Sequence, residues 1–205
     1  MKIVNESVEI VDKINGVQIL KNIEKAGRTC YKSEHIISND SYIKFIKNIL
    51  KRGHESVLEH EKITVRVICD RGVTHEIVRH RIASYSQEST RYCNYSNDKF
   101  NSEISFVKPS CIDANSDAFK VWKKACEICE TQYFALLNWG CSAQEARSVL
   151  PNSLKTEIVI TMNLREWRHF FKMRCASDAH PDMRKVANMI LTEFKKNIPI
   201  IFDEY

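Results

Sequence analysis

The run EKITVRVICD, Glu61 to Asp70, places Ile63, Val65 and Val67 at every second position. Successive side chains of an extended backbone point to opposite faces, so the run reads as a half-buried strand. KTEIVITMN, which begins at Lys155, is a second strand candidate, and each run gives way at once to a helical signal. Asp70 stands where a cap for the short helix RGVTHEIV belongs, and LREWRHFFKMR has helical spacing. Further helices are expected in DSYIKFIKNILKRG, with Asp40 near its N-cap and Gly53 as its stop, and, as the longest pattern, from Ser116 to Trp139. SAQEARSVLP carries a Ser142 to Glu145 capping box and is closed by Pro151, and PDMRKVANMILTEFKKN starts on a proline that a first helical turn tolerates. The N-terminal MKIVNESVEIVDKING alternates like a strand. Strands and helices therefore mix without a regular βαβ rhythm, so the expected fold class is α+β, a mixed sheet with helices in a single domain spanning 1-205.

Glycine usage narrows the chemistry. The five glycines (Gly16, Gly27, Gly53, Gly72, Gly140) never lie close together, so there is no G-x-G-x-x-G and no P-loop, and any nucleotide must be held by side chains. H-E-x-x-H, an HD pair and G-x-S-x-G are also missing, which removes the usual support for zinc peptidase, metal phosphohydrolase and serine hydrolase readings. Eight scattered cysteines in a chain of 205 residues read as reduced thiols, since a chain of this size needs no disulfide framework. Cys126 and Cys129 form a lone C-x-x-C whose spacing also sets two small apolar groups on one helix face; without a second pair no metal site is expected. The formal charge of +5 suits an anionic small molecule and is low for a nucleic-acid coat. No apolar run of about 18 residues and no signal-peptide centre is found, so a cytoplasmic location and no membrane association are expected.

RHRIASYSQESTRY, Arg79 to Tyr92, concentrates three arginines and a histidine among hydroxyls, with Gln87 and Glu88 in the middle. Guanidinium is a planar fork of donors that matches phosphate oxygens and stays ionised at physiological pH. If the backbone is extended there, Arg79 and Arg81 point to one side and His80 to the other, so one tripeptide could serve two ligands.

Arg79, His80 and Arg81, then seven residues, Ser89, and Arg91 with Tyr92 make the pattern R-H-R-x7-S-x-R-Y. With GHESVLEH from Gly53, EARSVLP around Arg147, NLREWRHFFKMR from Asn163 and RTCYKS near the start, in the same order, the sequence resembles the flavin-dependent thymidylate synthases from about residue 25 to residue 190. The resemblance implies a single domain of that family's type in a homotetramer binding FAD. It also implies NADPH as reductant and transfer of a one-carbon unit from methylenetetrahydrofolate to dUMP, giving dTMP. The FAD group it implies is His54, Ser56, Glu59, Arg79, His80, Arg81, Asn163, Arg165 and His169. The dUMP group is Glu76, Arg79, Gln87, Glu88, Ser89, Thr90, Arg91, Arg147 and Arg174, with Arg147 coming from a different chain than the Ser89 and Arg174 side. Such ligands are anions with flat aromatic parts, and the arginine-rich stretch has the composition that they need.

The chemical problem is to make C5 of uracil nucleophilic. The cysteine-dependent thymidylate synthases use a Pro-Cys-His context, which KPSCIDA around Cys111 does not match. Arg174 matches the family position at which a guanidinium favours the N3-deprotonated ring and stabilises charge as C5 attacks, so Arg174 is the expected catalytic residue and no cysteine nucleophile is required. Ser89 lacks a histidine base at obvious spacing and is expected to orient dUMP. The chain departs from the family at Ser86 and Gln87, where Asn-Glu is common, at AHPDMR, where A-Q-x-E-I-R is common, and at Cys30, where a small hydroxyl residue is common. Two alternatives stand beside this reading: a flavoprotein of the same fold without synthase activity, and a nucleic-acid-binding module with Tyr85, Tyr92 and Tyr95 as stacking surfaces.

Overall fold

The computed structural model describes residues 1–97 and 100–205. In chain order the elements are β1 (Lys2–Val4), β2 (Ser7–Ile10), α1 (Gly16–Thr29), α2 (Ser41–Lys51), β3 (Lys62–Asp70), α3 (Arg71–Ile77), β4 (Ala83–Gln87), β5 (Ser105–Val107), α4 (Asp117–Asn138), α5 (Ala143–Ala146), β6 (Lys155–Asn163), α6 (Leu164–Arg174) and α7 (Pro181–Asn197). Strands β1 and β5 pair in parallel with Ile3 opposite Phe106, and the other four lie in the order β2-β3-β6-β4. The α+β class follows. The alternation in β3 buries Ile63, Val65, Val67 and Cys69, and that in β6 buries Thr156, Ile158, Ile160 and Met162. The N-terminal alternating stretch forms two short strands instead of one.

Helix starts obey local chemistry. Asp70, Ser116 and Asn163 each accept a hydrogen bond from the backbone N–H three residues on, which satisfies an orphan donor of the first turn. Asp40 occupies the N-cap of α2 without a side-chain bond, and Gly53 beyond that helix has φ +69°, a conformation open to glycine. The Ser142–Glu145 capping box forms, yet α5 lasts only four residues before a 3-10 turn over Arg147–Val149 takes the chain to Pro151. No helix among the described residues is long and apolar enough to cross a membrane.

The chain divides into two compact units. Unit one holds Met1–Ser7, Val67–Arg79 and Ser86–Ile158, around a core that includes Tyr95, Ile104, Phe106, Tyr133 and Leu154. Cys126 packs in that core, and burial pushes its thiol up to about 11. Unit two holds Val8–Arg66, His80–Tyr85 and Val159–Tyr205. Its core is aromatic: Trp167, Phe170, Phe171, Phe194 and Phe202 are fully buried, mostly edge to face, and the Trp167 indole N–H donates to the Ile63 carbonyl at 3.1 Å. This packing fixes α6 rigidly, and α6 carries several of the site residues named above.

Candidate active site

Asn163 starts α6 by accepting the Glu166 backbone N–H at 2.8 Å. Residues three and four apart share a helix face, so Glu166, His169, Phe170 and Arg174 form one stripe along α6. His80 lies against that stripe in unit two. Its Nδ1 is 3.1 Å from Glu166 Oε1, and Arg174 donates from Nε to its Nε2 at 3.1 Å. The His169 and Phe170 rings lie 5.5 and 5.0 Å from the His80 ring, and the Tyr85 hydroxyl donates to the His80 carbonyl at 2.5 Å. Burial is the main cause that lowers the His80 pKa from its ordinary value; the Glu166 bond opposes it and the Arg174 charge reinforces it. Burial also pushes the Tyr85 phenol up to about 12.

The R-H-R tripeptide lies between the end of α3 and the start of β4. Arg79 closes the last turn of α3, its N–H bonding the Glu76 carbonyl, and no strand begins until Ala83. The expected alternation of sides survives as burial, with His80 buried and Arg79 and Arg81 exposed. Neither arginine's side chain meets a hydrogen-bond or ion-pair partner among the described residues.

Six of the expected FAD residues of unit two line two clefts, while His80 and Arg81 line neither. One, of about 590 Å³, takes in Glu59, Asn163, Arg165 and His169 with Arg168 and Lys172. Arg165 donates to Glu59 at 2.6 Å across its mouth, and Arg168 is held by Glu55, Glu204 and the Ile201 carbonyl. The other, of about 620 Å³, takes in His54 and Ser56 with Arg28, Cys30, Tyr31 and Arg52. A Cβ on Gly27 would come within 2.4 Å of the Phe45 ring at this second cleft, so the glycine permits the close helix contact.

The expected dUMP residues other than Arg174 lie in unit one. Gln87 donates its amide to the Thr74 and Thr156 hydroxyls at 3.0 and 3.2 Å. Glu88 accepts from Lys155 at 2.8 Å and from the Tyr95 hydroxyl at 3.2 Å. Ser89 accepts the Arg91 N–H through its hydroxyl, and its carbonyl takes the Tyr92 and Cys93 amides in a turn. Arg91 extends over the Tyr92 ring, and Glu76 is half-buried. Arg147 donates to Thr90 at 3.2 Å, and the two line a cleft of about 420 Å³ with Arg71, Gln144, Ser148 and Asn152. The resemblance sets Arg147 on a different chain from the Ser89 side; within one chain it already meets the residue after Ser89. Residues that sequence reasoning missed are Glu166, Lys155, Lys172 and Arg71. Glu166 had a signal, since it sits three residues after Asn163 and eight before Arg174 on one helical stripe.

His80, Glu166 and His169 bring ligand atoms within 4.8 Å of one another, a spacing that suits a metal. The Nε2 lone pair of His80 is engaged by the Arg174 guanidinium, and that cation opposes a second one at the same atom. All eight cysteines are free thiols.

The chain has counterparts among known proteins. The chain belongs to the thymidylate synthase complementing protein family, whose family model matches residues 11–200. It is 39% identical over 184 residues to a flavin-dependent thymidylate synthase of Geobacter sulfurreducens, covering 86% of this chain and 78% of that one. It is 41% identical over 161 residues to one of Pyrococcus furiosus, covering 78% of this chain and 65% of that one. A crystal structure of the UMP/dUMP methylase PolB from Streptomyces cacaoi with 5-Br dUMP has the same fold, with a TM-score of 0.80 at 23% identity over 99% of this chain and 96% of that one.

Proposed function

We propose that the whole chain works as a single flavin-dependent thymidylate synthase domain, converting dUMP to dTMP with methylenetetrahydrofolate as carbon donor and FAD reduced by NADPH. The observation that carries the reading is the guanidinium of Arg174, at the family position, held through Nε by a neutral histidine. Fixed in this way, it presents a cation to a pyrimidine edge. It favours the N3-deprotonated ring and stabilises the charge that develops as C5 attacks.

The donor set fits a dinucleotide of flat rings and phosphates. Asn163, Arg165 and His169 line one cleft with Glu59 as an acceptor, His54 and Ser56 line another, and Arg79 and Arg81 offer forks without partners among the described residues; His80 stands buried behind His169. When bound, FAD supplies the hydride. Gln87, Glu88, Ser89 and Thr90, with Glu76, orient the nucleotide, while Arg91, Arg147 and Arg79 bind its phosphate. Burial pushes the Cys175 thiol up to about 11 and the Cys69 thiol further, so neither supplies a thiolate at neutral pH. The assembly is a homotetramer in the cytoplasm with sites shared between subunits; Val121, Ile128 and Trp139 are exposed along α4 and at its end, a surface suited to a partner.

The test is formation of dTMP with release of tritium from C5-labelled dUMP, each co-reactant being omitted in turn. A yellow, FAD-loaded protein that makes no dTMP from the complete mixture supports the non-synthase flavoprotein instead.

A further inference from the structure

Arg174 carries only donors, so the atom of His80 that it meets must be an acceptor. Nε2 therefore holds a lone pair, and the single proton of the neutral ring sits on Nδ1. That proton faces Glu166 Oε1 at 3.1 Å. Which imidazole nitrogen carries the proton is set by the hydrogen bond that the other makes. With both ring nitrogens engaged and the ring 95% buried against Phe170 and His169, the His80 orientation leaves one arrangement that satisfies every donor.

We propose that Glu166 is a positioning residue for the reaction: by accepting the Nδ1 proton of His80 it holds the tautomer whose Nε2 lone pair orients the Arg174 guanidinium. The proposal rests on the reading of Arg174 as the group that meets the pyrimidine. Glu166 is itself 92% buried and held by the Asn163 cap, and Glu166 and Arg174 are eight residues apart on the same rigid helix. The relay thus starts and ends on α6 and passes through His80. Protonating His80 would place N–H groups on both nitrogens, abolish the acceptor at Nε2 and set an imidazolium against a guanidinium. The Tyr85 hydroxyl is spent on the His80 carbonyl, and His169 meets the ring through its edge, so within this cluster Glu166 is the one carboxylate bonded to Nδ1.

The experiment uses the FAD-loaded protein with ¹⁵N-labelled histidine, as wild type, Glu166→Leu, Glu166→Gln and Arg174→Lys. Nitrogen shifts report the tautomer without reference to turnover. The wild type is expected to show His80 with a protonated Nδ1 and a bare Nε2. Glu166→Leu should lose this single tautomer, keep FAD, and lose about ten- to hundredfold in kcat, the usual effect of removing the carboxylate behind a functional histidine, with a smaller change in KM for dUMP. Glu166→Gln retains a carbonyl acceptor and should recover the tautomer and most of the turnover. A wild-type ring protonated at Nε2, an unchanged tautomer in Glu166→Leu, or a glutamine variant no better than leucine would overturn the proposal. If Glu166→Leu does not fold, the wild-type and glutamine spectra still decide it. Full turnover in Arg174→Lys, with the tautomer shifts as expected, would instead overturn the reading of Arg174.

Discussion

Arg174 and His80, ninety-four residues apart in sequence, meet at 3.1 Å through Nε and Nε2. A lysine at 174 carries the charge as a point on a flexible stem and cannot present both a donor to His80 and a planar edge to a pyrimidine. Arg174→Lys is expected to keep FAD and lose about a hundredfold or more in kcat, the scale of removing one transition-state donor. Steady-state kinetics on the FAD-loaded variant checks it, and near-normal turnover contradicts the assignment.

Acid should weaken the fold through His80. Its folded pKa is lowered from 6.5, so below 6.5 the unfolded chain binds a proton that the folded protein resists. The unfolded state then holds more protons, and stability falls as pH drops through 6.5 until the folded pKa is reached. His80→Asn offers an amide donor and a carbonyl acceptor but no titration. Urea denaturation as a function of pH should show a flatter acid limb in His80→Asn than in wild type; equal slopes would remove His80 from the account.

No cysteine is assigned a covalent role. A variant with Cys93, Cys111 and Cys175 replaced by serine or alanine should retain dUMP conversion when folded and FAD-loaded. Loss of turnover in such a protein, verified by its flavin spectrum, counts against an arginine-centred mechanism.

The sequence showed the elements better than their meeting points. Period-2 alternation located β3 and β6, and Asp70, Ser116 and Asn163 marked helix starts, because both signals are local. The shortening of α5 into a 3-10 turn was not visible, since nothing in SAQEARSVLP before Pro151 states where the tighter turn begins. The local sequence of R-H-R leaves open whether its backbone is extended, and the turn at Arg79 depends on how far α3 runs. His80 and Arg174 were assigned to different ligands; the bond between them, like that of His80 to Glu166, is a long-range contact that motif spacing does not contain. Gln87 was seen as a neutral amide in place of a carboxylate, but its bonds to Thr74 and Thr156 required the fold.

Sharing of sites between subunits can be read from mixed assemblies of Arg147→Ala and Arg174→Lys. If the two arginines of a site come from different chains, random reassembly at equal amounts restores roughly a quarter of sites to full composition, because each donor is intact about half the time. Activity near that fraction, with exchange verified by mass, is expected. No recovery would put both arginines on one chain.

The proposed activity is reductive methylation of dUMP without a thiol nucleophile. The most direct measurement follows tritium released from C5-labelled dUMP together with dTMP formed, with NADPH, FAD and methylenetetrahydrofolate each left out in turn. In the complete mixture dTMP and matching tritium release are expected together, and dTMP is expected to be lost when NADPH or methylenetetrahydrofolate is omitted or when FAD is stripped from the protein. A folded, FAD-loaded protein that yields no dTMP from the complete mixture would contradict it.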